Sequence, residues 1–178
     1  MSDQTSVLDE LPGDLMIWVL IVSELLVFGA GLLAFLGMRA MDPVGFAADQ
    51  AQLNRVAGAA NTIVLVSSGY CAARAVHSIQ HMRAWLLGAI GLGIVFLIVK
   101  WLEYAEKARL GIGIESSDFF TFYYLLIGFH ALHVVAGLVI FGLLMRWQTP
   151  RNLEAGTAFW HMVDLIWILL FPIIYLVH

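Results

Sequence analysis

The stretch FWHMVDLIWILLFPIIYL, Phe159 to Leu176, decides the fold. It is long and apolar enough to cross a hydrocarbon core. Yet it carries His161 and Asp164 three residues apart, a spacing that puts both on one helical face. A carboxylate at mid-bilayer costs about 2.5–3.5 kcal/mol on insertion scales. Such a group is therefore turned away from lipid and is either paired or neutral. A span built this way needs neighbouring spans to face, so the segment predicts a helical bundle.

The rest of the chain agrees. Its 178 residues are 61% hydrophobic and only 12% charged, with a mean hydropathy of +0.88. Soluble domains run nearer half apolar and a quarter charged. The sequence thus describes an integral membrane protein, a single transmembrane domain over residues 1–178. Net charge is −4, and no basic run exists that could hold nucleic acid. The lone Cys71 excludes a disulfide within the chain and a cysteine-based metal site, and a buried small side chain is expected there. The acidic start (Asp3, Asp9, Glu10) lacks the basic region of a secretory signal, so the first span is expected to remain.

Five segments reach spanning length: about Leu15 to Met38, Val56 to Val76, Ala84 to Tyr104, Phe119 to Met145 and Gly156 to Val177. Asp14 and the pair Ser117-Asp118 are the expected N-caps of the first and fourth. The links are short. The longest, Arg39 to Arg55, has room for a loop with one helical turn. Short links make neighbouring helices antiparallel, which predicts an all-α, up-down bundle of five helices with its termini on opposite sides. Arg74, Arg83, Arg146 and Arg151 flank the N-terminal side, and Arg39, Arg55, Lys100, Lys107 and Arg109 the other. Four against five leaves the orientation open. Glycines inside the spans, among them Gly29, Gly58, Gly91, Gly93, Gly137 and Gly142, predict close helix packing. Trp18, Trp85, Tyr104, Trp101, Trp147 and Trp160 fall near segment ends, as an interfacial belt would. Trp167 and the run Phe119–Tyr124 read as packing.

The ionisable residues within the spans are the candidate functional groups. Glu24 lies roughly 13 Å along its helix with no basic residue within a turn, so it is expected to be neutral and hydrogen-bonded, as a tie between helices, a lipid contact or a proton relay. Lys100 and Glu103 are expected to form an interfacial ion pair, Lys100 reaching toward the headgroups. His130 and His133 share one face of the fourth span. With His161 they could ligate a metal or haem, which defines one alternative, a histidine-ligated membrane cytochrome or metalloenzyme. The other reading of these histidines is hydrogen bonding between helices. His77, at a helix end, is expected to cap.

Several motifs in order resemble subunit III of the haem–copper oxidases. Val22-Ser23-Glu24-Leu25-Leu26-Val27-Phe28 is similar to that family's helix with a buried glutamate. Asn61-Thr62-Ile63-Val64-Leu65, with Ser68-Gly69, resembles the next helix, which ends near a histidine at the place of His77. Glu103-Tyr104 resembles an acidic helix end, Gly128-Phe129-His130-Ala131-Leu132-His133-Val134 a GFHxLHV signature, and Trp160-His161-Met162-Val163-Asp164-Leu165-Ile166-Trp167 a WHFVDxxW signature. Long members have seven helices, of which this chain matches the last five. The family often has two adjacent histidines where this chain has Val76-His77. The opening Pro12-Gly13-Asp14-Leu15-Met16-Ile17-Trp18 and the short ending resemble the branch associated with nitric oxide reductase.

The resemblance implies a non-catalytic accessory subunit of the bacterial inner membrane. It implies a cytoplasmic N-terminus, a periplasmic C-terminus and bound phospholipid, with no cofactor in this chain. Haem and iron or copper would sit in the partner. That partner would be the haem-containing subunit of nitric oxide reductase or, in the alternative, subunit I of a cytochrome c oxidase, where this chain would support proton uptake and oxygen access. Glu24, His77, Glu103, His130, His133, His161 and Asp164 would then tie helices together, hold lipid or relay protons. His161 and Asp164 are expected to face the bundle interior, satisfying each other or the fourth span.

Overall fold

A computed structural model describes residues 15–147 and 149–177. Six helices follow one another: α1 (Leu15–Met41), α2 (Pro43–Gln50), α3 (Arg55–His77), α4 (Met82–Arg109), α5 (Asp118–Arg146) and α6 (Pro150–Phe171). A π-helical turn, Pro172–Leu176, extends α6. All but α2 are long and apolar enough to cross a membrane, at roughly 35–44 Å each. The all-helical, five-span architecture expected from the sequence is the one observed.

Most of the ends are longer than the apolar runs, because polar residues outside the hydrocarbon cap them. Asn54 Oδ1 accepts from Ala57 N (2.9 Å) and Ser117 Oγ from Phe120 N (3.2 Å). Thr149 Oγ1 accepts from Asn152 N (3.2 Å) ahead of Pro150, so α6 starts before the expected Gly156. The N-cap expected at Asp14 lies outside the described residues. The Arg39–Arg55 link holds more than one turn: Asp42 caps the eight-residue α2, with Pro43 at its start. Proline fits there because the first helical N–H has no partner in any case. Pro172 has the opposite effect inside α6. It cannot donate to the preceding turn, and the chain widens until Val177 N reaches Pro172 O (2.9 Å).

Contacts fix the direction of every span. Asn61 meets Phe96 and Ser68 meets Ala89, so α3 and α4 are antiparallel. Tyr104 against Tyr123, with Phe96 against His130, sets α4 antiparallel to α5. His130–Trp167 and Tyr123–Tyr175 do the same for α5 and α6. Phe28–Phe129 and Phe35–Phe122 do so for α1 and α5. The hub is α6, 56% buried over its most apolar window against 17% for α1. It packs on α1, α3 and α5.

Aromatic rings fill the space around that hub. Phe119 to Tyr124 form a stacked and edge-on cluster with Phe35, Phe46 and Tyr104. Trp160 is fully buried and is not a belt residue: its indole lies where Gly137 and Gly93 carry no side chain. Close packing holds at those glycines and at Gly58, whose missing Cβ makes room for Phe171. It does not hold at Gly29, Gly91 or Gly142, which meet nothing within 4 Å. Cys71 is half-buried instead of buried.

Gly137→Leu is therefore expected to displace Trp160 and destabilise the bundle by about 1–3 kcal/mol, whereas Gly142→Leu leaves it unchanged. Thermal unfolding of the purified protein in lipid nanodiscs checks both.

Candidate functional site

The polar groups of the spans gather at three levels. Nearest the C-terminal side, Lys100 and Glu103 point from α4 into the bundle, 3% and 5% exposed. Lys100 Nζ donates to Glu103 Oε2 (2.6 Å) and to Tyr175 Oη (2.7 Å), and Tyr175 donates to Glu103 Oε1 (3.0 Å). The ammonium also sits 4.8 Å from the Trp167 ring centre and 4.9 Å from that of Tyr175. The expected ion pair is present, but it is buried, not interfacial. The widened turn after Pro172 carries Tyr175, and that residue closes the triangle.

The same α4 face continues one turn on to Lys107, also buried, which donates to Gln52 O (2.6 Å). Gln50 Nε2 donates to Ile174 O (2.9 Å), Ser117 Oγ to Asp49 Oδ2 (2.6 Å), and Arg39 to Val177 O. Gln50 thus ties α2 to the turn after α6, Asp49 ties it to the cap of α5, and Arg39 ties the end of α1 to Val177. Tyr175, Gln50 and Lys107 were not among the expected site residues. For Lys107 the signal existed: positions 100, 103 and 107 fall on one helical face.

The second level joins α1 to α5. Glu24 Oε2 lies 3.1 Å from His133 Nε2, both side chains largely buried. His133 Nδ1 lies 2.8 Å from Phe129 O, where only a donated N–H fits. Glu24 and His133 approach closely, but Glu24 Oε2 has no hydrogen bond among the described residues. Glu24 is not a lone acid; its partner comes from another helix. Phe28 and Phe129 pack edge-on against the same imidazole.

His130, one turn from His133, behaves differently. It is fully buried between the Phe96 ring (5.6 Å, 79°) and the Trp167 ring (5.3 Å, 31°). Neither of its nitrogens has a hydrogen-bond partner among the described residues. It packs as a flat ring and does not tie helices by hydrogen bonds. The bonds at this level are instead Trp167 Nε1 to Thr62 Oγ1 (3.0 Å) and Asn61 Nδ2 to Phe96 O (3.2 Å).

The third level is His161 with Asp164. Their Nδ1–Oδ2 distance is 3.7 Å, beyond a hydrogen bond. Asp164 is turned inward, its side chain 9% exposed, while that of His161 is 46% exposed. The expectation that both face the interior holds for Asp164 only. Nor does Asp164 meet the fourth span: it lies over Gly69 of α3, in the room left by the missing side chain. Its Oδ1 has no partner among the described residues. His77 ends α3 with Nδ1 3.0 Å from its own helix's Ala73 O. It is exposed and is not one of the buried groups expected.

The three imidazoles that could have shared a ligand stand apart. His133 faces Glu24, His130 lies between rings, and His161 looks outward. Among the described residues no three His, Cys, Asp or Glu side chains converge to hold a metal ion.

Known proteins resemble the chain over nearly its full length. The family model "Cytochrome c oxidase subunit III" matches residues 11–178. The Cytochrome c oxidase subunit 3 of Thermostichus vulcanus is 32% identical over 172 residues, 89% of this chain and 84% of that protein. A probable cytochrome c oxidase subunit 3 of Mycobacterium bovis is 31% identical over 170 residues, 88% of this chain and 84% of that one. The Heme-copper oxidase subunit I+III of Aeropyrum pernix is 30% identical over 182 residues, 90% of this chain and 22% of that much longer protein.

Lys100→Met strands Glu103 in the bundle and is expected to destabilise it by about 3–5 kcal/mol. The double change Lys100→Met with Glu103→Leu recovers most of that loss. His77→Ala has no effect. Thermal unfolding of the single and double variants checks the cycle.

Proposed function

Since the chain belongs to the cytochrome c oxidase subunit III family, we propose that it is the non-catalytic accessory subunit of a haem–copper oxidase, docked in the membrane against the haem-bearing subunit I. The observation that carries this reading is the match over residues 11–178. The fused relative adds to it, since a stretch similar to this chain forms part of a protein called subunit I+III. The resemblance at the two chain ends had favoured nitric oxide reductase as the partner. The oxidase names of relatives at 30–32% identity support oxygen reduction instead.

In this reading the buried polar groups are ties. Glu24 with His133 pins α1 to α5, and Lys100, Glu103 and Tyr175 pin α4 to the end of α6. Each replaces hydration that hydrocarbon cannot supply. Lys100 and Lys107 turn inward, which leaves Arg39, Arg55 and Arg109 as surface charges on the C-terminal side. The other side keeps Arg74, Arg83, Arg146 and Arg151. That balance supports a cytoplasmic N-terminus and a periplasmic C-terminus in a bacterial plasma membrane. An apolar groove of about 310 Å³ between α1, α5 and α6, lined by Ile17, Leu144, Trp147 and Phe159, suits a phospholipid acyl chain.

Purification of the tagged chain from native membranes is expected to bring down a haem-containing subunit I that consumes oxygen. Recovery of a nitric oxide reductase subunit, or of no haem protein, overturns the reading. Because Glu24 already has His133 as its partner, Glu24→Gln is expected to keep oxygen turnover. Glu24→Leu leaves His133 unmatched and lowers the unfolding temperature of the complex. Loss of turnover in Glu24→Gln alone assigns Glu24 to proton delivery.

A further inference from the structure

We propose that the groove between the start of α4 and the end of α5 is a phosphate-binding site, in which the guanidinium groups of Arg83 and Arg146 hold the oxyanion of a lipid headgroup or of a free phosphate. The site lies apart from the acyl-chain groove and does not depend on which complex the chain joins.

The groove has a volume of about 390 Å³ and is lined by Arg83, Gly142, Met145 and Arg146. Arg83 comes from the first turn of α4 and Arg146 from the last turn of α5. Both are exposed, as is Gly142, so a ligand reaches them without any movement of the helices. Helical spacing sets residues 142, 145 and 146 on the side of α5 opposite to Ile140, Leu144 and Trp147, which line the apolar groove.

Two features point to an anion. The first is charge. Like charges facing one groove repel each other, and the ion pairs among the described residues join other groups. Arg83 also sits at the helix end where the dipole disfavours a cation, and the first turn of α4 holds no acidic residue. An oxyanion between the two guanidiniums offsets both costs. The second feature is space. Gly142 meets nothing within 4 Å of where a Cβ would stand, so the wall between the arginines is open backbone. A guanidinium grips a phosphate through two parallel N–H bonds, and a tetrahedral oxyanion has oxygens for a guanidinium on either side.

Arg74, on the same side of the bundle, differs: it lies over the Trp85 ring, 5.5 Å from its centre, outside this groove. Arg146 lies 6.0 Å from the Trp147 ring centre, a contact that uses the guanidinium face and leaves its edge N–H groups for an oxyanion. Level fits as well. One span begins and another ends here, which puts the groove in the headgroup layer, where basic pockets between spans take phosphate groups.

Native mass spectrometry of the full chain in neutral detergent measures phosphatidylglycerol binding. Equilibrium dialysis with radiolabelled inorganic phosphate measures the soluble source. Affinity is expected to fall about tenfold in the double variant Arg83→Gln with Arg146→Gln, and also in Gly142→Leu, which fills the groove without removing a charge. Arg74→Gln, which removes a charge outside the groove, is expected to keep the wild-type affinity. A loss confined to phosphatidylglycerol assigns the site to a headgroup, and a loss confined to inorganic phosphate assigns it to a soluble phosphate. No binding of either probe to the wild type, or unchanged binding of both in the groove variants, overturns the proposal. So does an equal loss in Arg74→Gln, which marks a general effect of surface charge. The unfolding temperature of each variant is read in the same detergent. The two groove variants differ in kind, so if one fails to fold the other still decides.

Discussion

Hydrocarbon offers no hydrogen bonds, so a polar side chain buried in this bundle is stabilised by a partner on the protein itself. The Lys100–Glu103–Tyr175 triangle is where that constraint has most effect. Two opposite charges and a phenol hydroxyl enclose one another, and Trp167 covers the ammonium. Coulomb attraction between such close charges grows as the local dielectric falls, but so does the cost of removing them from water. Only a closed arrangement offsets that cost. The closure depends on Pro172, whose missing N–H opens the last turn of α6 into the π form that carries Tyr175.

From that point the architecture follows as packing around α6. Its two indoles occupy different kinds of space. Trp160 fills the gap left by glycines on α4 and α5, while Trp167 packs against both Phe96 and His130 and donates to Thr62. Membrane helices associate through such contacts because lipid leaves little hydrophobic drive between them. Small residues on one helix and large flat rings on the next achieve the needed surface match. The histidines share in it unequally. His133 acts through a nitrogen and His130 through its ring face, although they lie on the same side of one helix.

An accessory subunit of an oxidase needs no reacting group of its own. It needs a rigid shape, a surface for lipid and a surface for its partner. Glu24 with His133 contributes rigidity at mid-depth, and the groove near Trp147 is apolar throughout its named lining except for Asn152. Asp164 Oδ1 and Glu24 Oε2 both lack a hydrogen bond among the described residues, unlike the closed Lys100 triangle.

Five spans, their antiparallel order and the inward turn of Asp164 were legible in the sequence, because run length and the cost of a charge in oil depend on local composition alone. The cap at Ser117 was expected from residue type, whereas those at Asn54 and Thr149 were not. Partnership was not legible. Glu24 looked solitary because His133 lies far away along the chain, and Lys100 looked interfacial because Tyr175 reaches it only through the widened final turn. The glycines read alike in sequence, yet Gly137 touches an indole and Gly142 touches nothing. The same holds for the histidines: which nitrogen is used, and whether any is, depends on what stands opposite. Sequence determined which groups could not face lipid, since that is a property of each residue. Only the tertiary structure decided what each one faces instead, since a partner is set by the juxtaposition of helices distant in the chain.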